Sequence, residues 1–319
     1  MYKPLYLCYN SVGCLMGRAP ARLSRQESLT AIGVIIRIMK EFFGIGGYMR
    51  EPEGYLSWQH LLFVTSLMVA MTIVAIWLGR RTRHGTEQSR RRVLMVTALL
   101  IDGLELFKIV FSCFRGADPW AWLYELPLFL CSIHLITIPL AAWSKGRVQE
   151  AALDFVFIFG ILSAVLGTYG AGQNYACYPV LSFDNVISGL THAISGFASL
   201  YIVIAGMASM KKKNVWITFC ILGGFCVAAY VANILIDYNY MFLMAGDGTP
   251  YDIVYNLVGG SPILYPLGVV LLFLVYIVAF YLVFYLVAGR KQKSKAEAAV
   301  EDRAQPTADA PAKEAVLKK

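Results

Sequence analysis

Residues 263–288 read ILYPLGVVLLFLVYIVAFYLVFYLVA, twenty-six positions without a charged side chain, and residues 290–295 follow as RKQKSK. An apolar run of that length exceeds the roughly 20 residues needed to cross about 30 Å of hydrocarbon. With no water in the bilayer core to satisfy its backbone, such a run must be a helix. Six more stretches of similar character precede it: Leu56 to Leu78, Val93 to Phe114, Leu123 to Trp143, Ala151 to Tyr169, Val186 to Ser209 and Val215 to Ile236. The alternating ten-residue pattern of a membrane barrel is absent. The expected fold is therefore all-α, a polytopic membrane protein with seven transmembrane helices.

Composition agrees. Of 319 residues, 58% are hydrophobic and only 15% charged, and the mean hydropathy is +0.60, whereas soluble domains carry about 25% charge. A soluble enzyme, a disordered chain and a disulfide scaffold all fit poorly. The net charge of +8 does not point to nucleic acid, because the basic residues sit in short clusters between apolar blocks. Arg80, Arg81, Arg83 and Arg90 to Arg92 fill the first loop. Lys145 and Arg147 lie in the third, Lys211 to Lys213 in the fifth, and Arg290, Lys291, Lys293 and Lys295 follow the last helix. The alternate loops carry Arg115 alone in one, and no Lys or Arg from Gly170 to Asn185 or from Asp237 to Pro262. Cationic loops are retained in the cytoplasm, which predicts an N-terminus outside and a C-terminus inside.

Three regions follow from this. Residues 1–55 form an N-terminal extension whose basic residues, among them Arg18, Arg37 and Lys40, contradict an outside location. Either the natural start is Met39, the favoured reading, or Leu29 to Met49 is a helix on the membrane surface. Residues 56–289 form the seven-helix domain. Residues 290–319, rich in Ala, Lys and Glu with two prolines, read as a disordered cytoplasmic tail. Seven cysteines occur without a C-x-x-C pair, so no zinc or redox motif is written here, and neither a metal nor an organic cofactor is implied. Cys177 falls in an outer loop with no obvious loop partner.

Ionisable residues inside a membrane are costly, and each is a functional candidate. With the orientation above, His60, Asp102, Glu105, Lys108, Glu125, Cys131, His192, Asn233 and Asp237 gather beneath the outer surface, with Cys131 roughly 12 Å and His192 roughly 9 Å deep at 1.5 Å per residue. The bland reading makes Glu105 and Lys108 a self-neutralising i, i+3 pair, Cys131 a small packing residue and His192 a satisfied interhelical hydrogen bonder. The sharp reading makes Cys131 a nucleophile whose proton passes to His192, with Glu105 orienting the imidazole. His134, one turn from Cys131, is an alternative base. Motifs for a serine elbow, a zinc protease and a phosphate loop are missing. No lysine occurs from Ile263 to Ala288, which excludes a rhodopsin-type Schiff base.

One segment adds a family resemblance. Leu126-Pro127-Leu128-Phe129-Leu130-Cys131-Ser132 resembles the L-P-L-x-L-C-S segment of the bacterial YwaF-type integral membrane family. Supporting matches are His60, the Phe159 to Ala164 run Phe-Gly-Ile-Leu-Ser-Ala, His192, and Asn239-Tyr240-Met241-Phe242-Leu243 with Pro250 downstream. That family is similar to a eukaryotic transmembrane acyltransferase that makes polyunsaturated ether phospholipids. It is more distantly similar to androgen-regulated membrane hydrolases of hydroxy-fatty-acid esters. The resemblance implies a catalytic cysteine at Cys131 and a histidine partner at His192; the hydrolases place a threonine and a histidine in comparable roles. Relatives often carry histidine after L-P-L, where this chain has Phe129.

The expected function is a multi-pass lipid acyltransferase or lipid-ester hydrolase of a bacterial plasma membrane, with membrane lipids as its partners and an embedded Cys131–His192 pair. Glu105, His134, Asn233 and His60 are its supporting residues. The alternative is a transporter or small-molecule-binding membrane protein that uses the same polar cluster as a pocket.

Overall fold

The computed structural model describes residues 31–116 and 119–304. Among them all regular structure is helical: α1 Ala31–Phe43, α2 Trp58–Thr82, α3 Glu87–Gly116, α4 His134–Trp143, α5 Gly146–Tyr169, α6 Gly172–Cys177, α7 Phe183–Ile204, α8 Val215–Ile236, α9 Asp252–Leu257 and α10 Leu264–Ala304. Short 3-10 turns lie at Ala121–Glu125, Lys212–Asn214 and Tyr240–Phe242. The chain divides into two compact units, Met1–Leu274 and Val275–Lys319; the described part of the second is the continuation of α10. The segment from 290, expected as a disordered tail, is helical as far as Ala304. Its Ala, Lys and Glu are strong helix formers, and Pro306 disfavours helix at the residue before it. Residues 305–319 and the first thirty lie outside the described residues.

Among the described residues five helices are long and apolar enough to cross a membrane: Trp58–Thr82, Gly146–Cys177, Phe183–Ile204, Lys212–Ile236 and Leu264–Val287. The two remaining expected spans behave differently. Val93 to Phe114 lies within α3, a 30-residue helix about 45 Å long, whose middle carries Asp102, Glu105 and Lys108. Leu123 to Trp143 is not one helix. It divides into the Ala121–Glu125 turn, an irregular stretch, and α4, which has only 10 residues.

Proline causes the break. Pro127 has no amide N–H and disfavours helix at the preceding residue, and Leu126 is extended at φ −59° and ψ 146°. Irregular backbone at membrane depth is tolerated only where protein satisfies it. Tyr240 does so: its hydroxyl donates to the Leu123 carbonyl at 2.5 Å and accepts from the Leu126 amide at 3.1 Å. The two strings that carried the family resemblance are thus hydrogen-bonded to each other. Phe129 packs in the same place, its ring 5.1 Å from Tyr240, 6.2 Å from Tyr238 and 6.0 Å from Phe242. Removing the hydroxyl with Tyr240→Phe strands a buried carbonyl and amide, at about 1–3 kcal/mol for an unsatisfied buried group. The expected result is a lowered thermal midpoint together with faster protease cleavage between Leu123 and Cys131; unchanged cleavage there would refute the clamp.

α5 and α7 form the centre of the first unit. The apolar windows of their spans are 67% and 50% buried, against 22% for the other three spans. They approach closely because small residues face each other. A Cβ added to Gly160 would lie 2.6 Å from the Ser195 carbonyl oxygen, and one on Gly196 would lie 2.6 Å from the Ala164 Cβ. Leu94 and Ile101 of α3, Ile138 and Ala142 of α4, and Val156 and Ile202 complete the core around this pair.

Candidate functional site

The broken segment before α4 and the α5–α7 pair bring the polar residues together. Lys108 of α3 sits between two carboxylates, 2.6 Å from Glu105 Oε1 and 2.9 Å from Glu125 Oε2. The i, i+3 pair expected from the sequence therefore has a third member, supplied by the turn before Pro127. Cys131 lies within electrostatic reach of Glu105 and Lys108, and His192 within reach of Lys108 and His134. Cys131, Lys108 and His192 are each half-buried. Together with the two carboxylates they form a half-buried polar cluster.

His192 is seated by α5. Its Nδ1 lies 3.2 Å from Ser163 Oγ, and its ring lies across Gly167, where an added Cβ would come within 2.1–2.4 Å of Cε1, Nδ1 and Nε2. Nε2 has no hydrogen-bond partner among the described residues. In the tautomer that donates Nδ1–H to Ser163, Nε2 carries the lone pair and is the atom able to take a proton; in the other tautomer Nδ1 accepts from the Ser163 hydroxyl. Gly167→Ala should therefore expel the imidazole from its seat while leaving both helices formed. The expected result is loss of the Ser163–His192 hydrogen bond, read as a shift of the His192 ring resonances. An unmoved ring would contradict this packing.

The remaining expected site residues fall elsewhere. Glu105, proposed to orient the imidazole, turns to Lys108 instead; Ser163 holds that place. The Cys131 thiol has Ser132 Oγ as its hydrogen-bond neighbour at 4.0 Å, and among the described residues no hydrogen bond joins it to an imidazole. His134 is fully buried; its Nδ1 donates to the Cys131 carbonyl at 2.9 Å, and its Nε2 is enclosed without a partner. It tethers the Cys131 backbone.

Asn233 spends its amide on the Tyr240 main chain, accepting from Tyr240 N at 2.6 Å and donating to Tyr240 O at 3.0 Å. Through Tyr240 it acts on the segment leading to Cys131. His60, expected near the water interface, is fully buried. Its Nδ1 accepts from Leu56 N at 3.1 Å, its Nε2 donates to Thr168 O at 3.2 Å, and its ring lies 3.8 Å from Tyr175. Both nitrogens are occupied, so His60 ties the start of α2 to the end of α5. Cys177, expected without a partner, is disulfide-bonded, and Cys113, Cys131, Cys220 and Cys226 are free.

Residues missed by the sequence reading include Ser163, Gly167 and Tyr251. Tyr251 stacks on Phe242 at 5.6 Å and meets Phe273 edge-on at 6.0 Å. Its hydroxyl makes no hydrogen bond among the described residues, and it lies within electrostatic reach of Cys131. Burial pushes its phenol up to about 12, so at neutral pH it is an O–H donor. The only sequence signal for it was its place one residue after Pro250. Among the described residues no group of three or more His, Cys, Asp or Glu is arranged to hold a metal ion.

Taken together, described residues that are all-helical, with helices long and apolar enough to cross a membrane and a half-buried polar cluster beside a broken segment, make this an integral membrane protein with a candidate site. The chain belongs to the TMEM164 family, a transmembrane protein family, whose model matches residues 55–289. No curated protein and no solved structure matches it.

Proposed function

We propose that this protein is a membrane-embedded lipid acyltransferase or lipid-ester hydrolase in which Cys131 is the nucleophile and His192 the base. The observation that carries the reading is a clamped ammonium, Lys108, with a thiol and an imidazole with an unoccupied nitrogen each within its electrostatic reach. The thiol sulfur attacks the ester carbonyl and its proton passes to His192 Nε2. The alcohol leaves, taking that proton, and a thioester remains on Cys131. Water or a lipid alcohol then attacks the thioester, gives its proton to His192, and the thiolate recovers it as the C–S bond breaks. Catalytic hydrogen bonds are often long without substrate, and the reading requires Cys131 Sγ and His192 Nε2 to come within hydrogen-bond reach when the lipid is bound. Tyr251 is a fitting donor to the developing oxyanion.

The finer topology belongs to the same proposal: seven crossings with α3 and the 123–143 segment included, an outer N-terminus, a cytoplasmic C-terminus, and a bacterial plasma membrane. Two features support it: the alternation of basic and bare loops, and the disulfide at Cys177 on the side read as outer, since disulfides persist in oxidising compartments. The likeness to the YwaF-type family and its acyltransferase kin supports the reaction class.

One measurement favours a second reading. Ser163 Oγ, not the thiol, is the group hydrogen-bonded to His192, which suits a hydroxyl nucleophile. The experiment that separates them is intact mass spectrometry of the protein incubated with mixed phospholipids. A hydroxylamine-labile adduct on Cys131 supports the thiol, a stable ester on Ser163 supports the hydroxyl, and no turnover or adduct under any condition sinks both.

A further inference from the structure

α1 lies before the residues that match the family and supplies none of the candidate site residues. At 3.6 residues per turn, Gly33, Arg37, Lys40 and Glu41 share one sector roughly 100° wide, and every other position on the helix is apolar. Most of that apolar surface is uncovered by protein: Ile32 is 70% exposed, Ile35 57% and Ile38 62%, with Val34, Ile36 and Met39 also exposed. At 13 residues the helix is about 20 Å long, too short to cross a bilayer.

The end of α1 is fixed to the first unit with unusual care. The Phe43 ring lies 5.2 Å from Phe111 and 5.5 Å from Phe183. Arg115 donates to Phe43 O at 3.2 Å while forming a two-pronged pair with Asp184 at 2.7 and 2.8 Å. Tyr48 donates to the same carboxylate at 2.6 Å, and the Glu41 carboxylate accepts from Met49 N and Arg50 N at 3.1 and 2.9 Å. These contacts hold α1 beside the C-terminal end of α3 and the N-terminal end of α7. The outward surface of α3 there is also apolar, with Phe107, Val110 and Phe114 exposed. The bare face of α1 is therefore continuous with surface that belongs in lipid.

We propose that α1 is an interfacial helix whose apolar face is immersed in the phospholipid leaflet, with Arg37 and Lys40 turned to anionic headgroups. This does not rest on the catalytic reading. A narrow polar sector with basic residues and a wide aliphatic face is the pattern by which a helix lies in the interface and does not span it. The Arg115–Asp184–Tyr48 cluster sets its exit from the bundle, so it cannot swing into water.

The test places a photoreactive p-benzoylphenylalanine at Ile35, at Ile38 as a second site, at Lys40, and at the 81% exposed Phe114 as the lipid-facing standard. The full chain is reconstituted in vesicles of phosphatidylcholine and phosphatidylglycerol and irradiated, and lipid adducts are counted by mass spectrometry. Ile35 and Ile38 are expected to match Phe114, with Lys40 at least about fivefold lower, as an interfacial helix requires. Cross-links from Ile35 and Ile38 to a second copy of the chain, equal labelling of all three α1 positions, or an absence of lipid adducts at α1 would each overturn the proposal.

Discussion

Cys131→Ala is expected to remove the hydroxylamine-labile acyl adduct completely and to lower lipid turnover by roughly 10³-fold or more, the scale seen when a nucleophile is deleted. The substitution removes one sulfur from a side chain that is only partly buried, so the fold should lose no more than about 1 kcal/mol. Normal gel-filtration behaviour beside lost turnover would therefore mark chemistry and not collapse. Ser163→Ala has a different signature in the same assay. If Ser163 only holds His192, adduct formation slows but the adduct still forms on Cys131. If Ser163 is itself the nucleophile, its loss abolishes the ester and Cys131→Ala does not. Turnover unaffected by either change would leave the polar cluster as part of a binding or transport site.

Asp154→Ala is expected to produce the largest loss of stability. The carboxylate is fully buried in α5 and receives five contacts: Ser209 N at 3.1 Å, Ser209 Oγ at 3.0 and 2.8 Å, Met210 N at 2.8 Å and Asn214 Nδ2 at 2.8 Å. It organises the whole connection between α7 and α8. Met210 there sits at φ 41°, a left-handed conformation that a side chain other than glycine adopts only when its surroundings enforce it. Alanine takes this acceptor from Ser209 N, Ser209 Oγ and Met210 N, while Asn214 Nδ2 keeps Ser209 Oγ at 2.9 Å, and each group left unsatisfied costs about 1–3 kcal/mol. Some will recover partners, so a net loss on the order of 3–5 kcal/mol is expected. For a chain of this size that corresponds to a fall of about 10 °C in the thermal midpoint in detergent. Asp154→Asn keeps one acceptor but presents an amide N–H to donors, and should fall between. A midpoint within about 2 °C of the parent for Asp154→Ala would show that the connection stands without it.

Much of this protein was legible before its structure. Runs of twenty or more apolar residues can only be helices in lipid, so Trp58–Thr82 and the four other long apolar helices follow from hydropathy alone. The neighbourhood of the candidate site was legible for the same reason. A charged or polar group at membrane depth carries a cost that selection accepts only for a purpose, and this singled out Glu105, Lys108, Cys131 and His192. The motif strings at 126–132 and 239–243 were visible too, though not that one holds the other.

The break at Pro127 escaped the hydropathy reading because 123–143 is apolar throughout. Hydropathy measures what a segment is dissolved in, not whether its backbone can close its own hydrogen bonds. Only the packed fold supplies Tyr240 to satisfy Leu123 and Leu126 from more than a hundred residues away. Partner choice within the polar cluster was undecidable for a similar reason. Glu105 has the chemistry to orient a histidine, and Lys108, one turn along its own helix, simply lies nearer. Ser163 reaches His192 because Gly160 and Gly196 let α5 and α7 approach closely, and Gly167 leaves room for the ring. Solvent preference is a property of each segment and can be read one segment at a time. Which polar group meets which depends on distances between segments, and those exist only once the helices have packed.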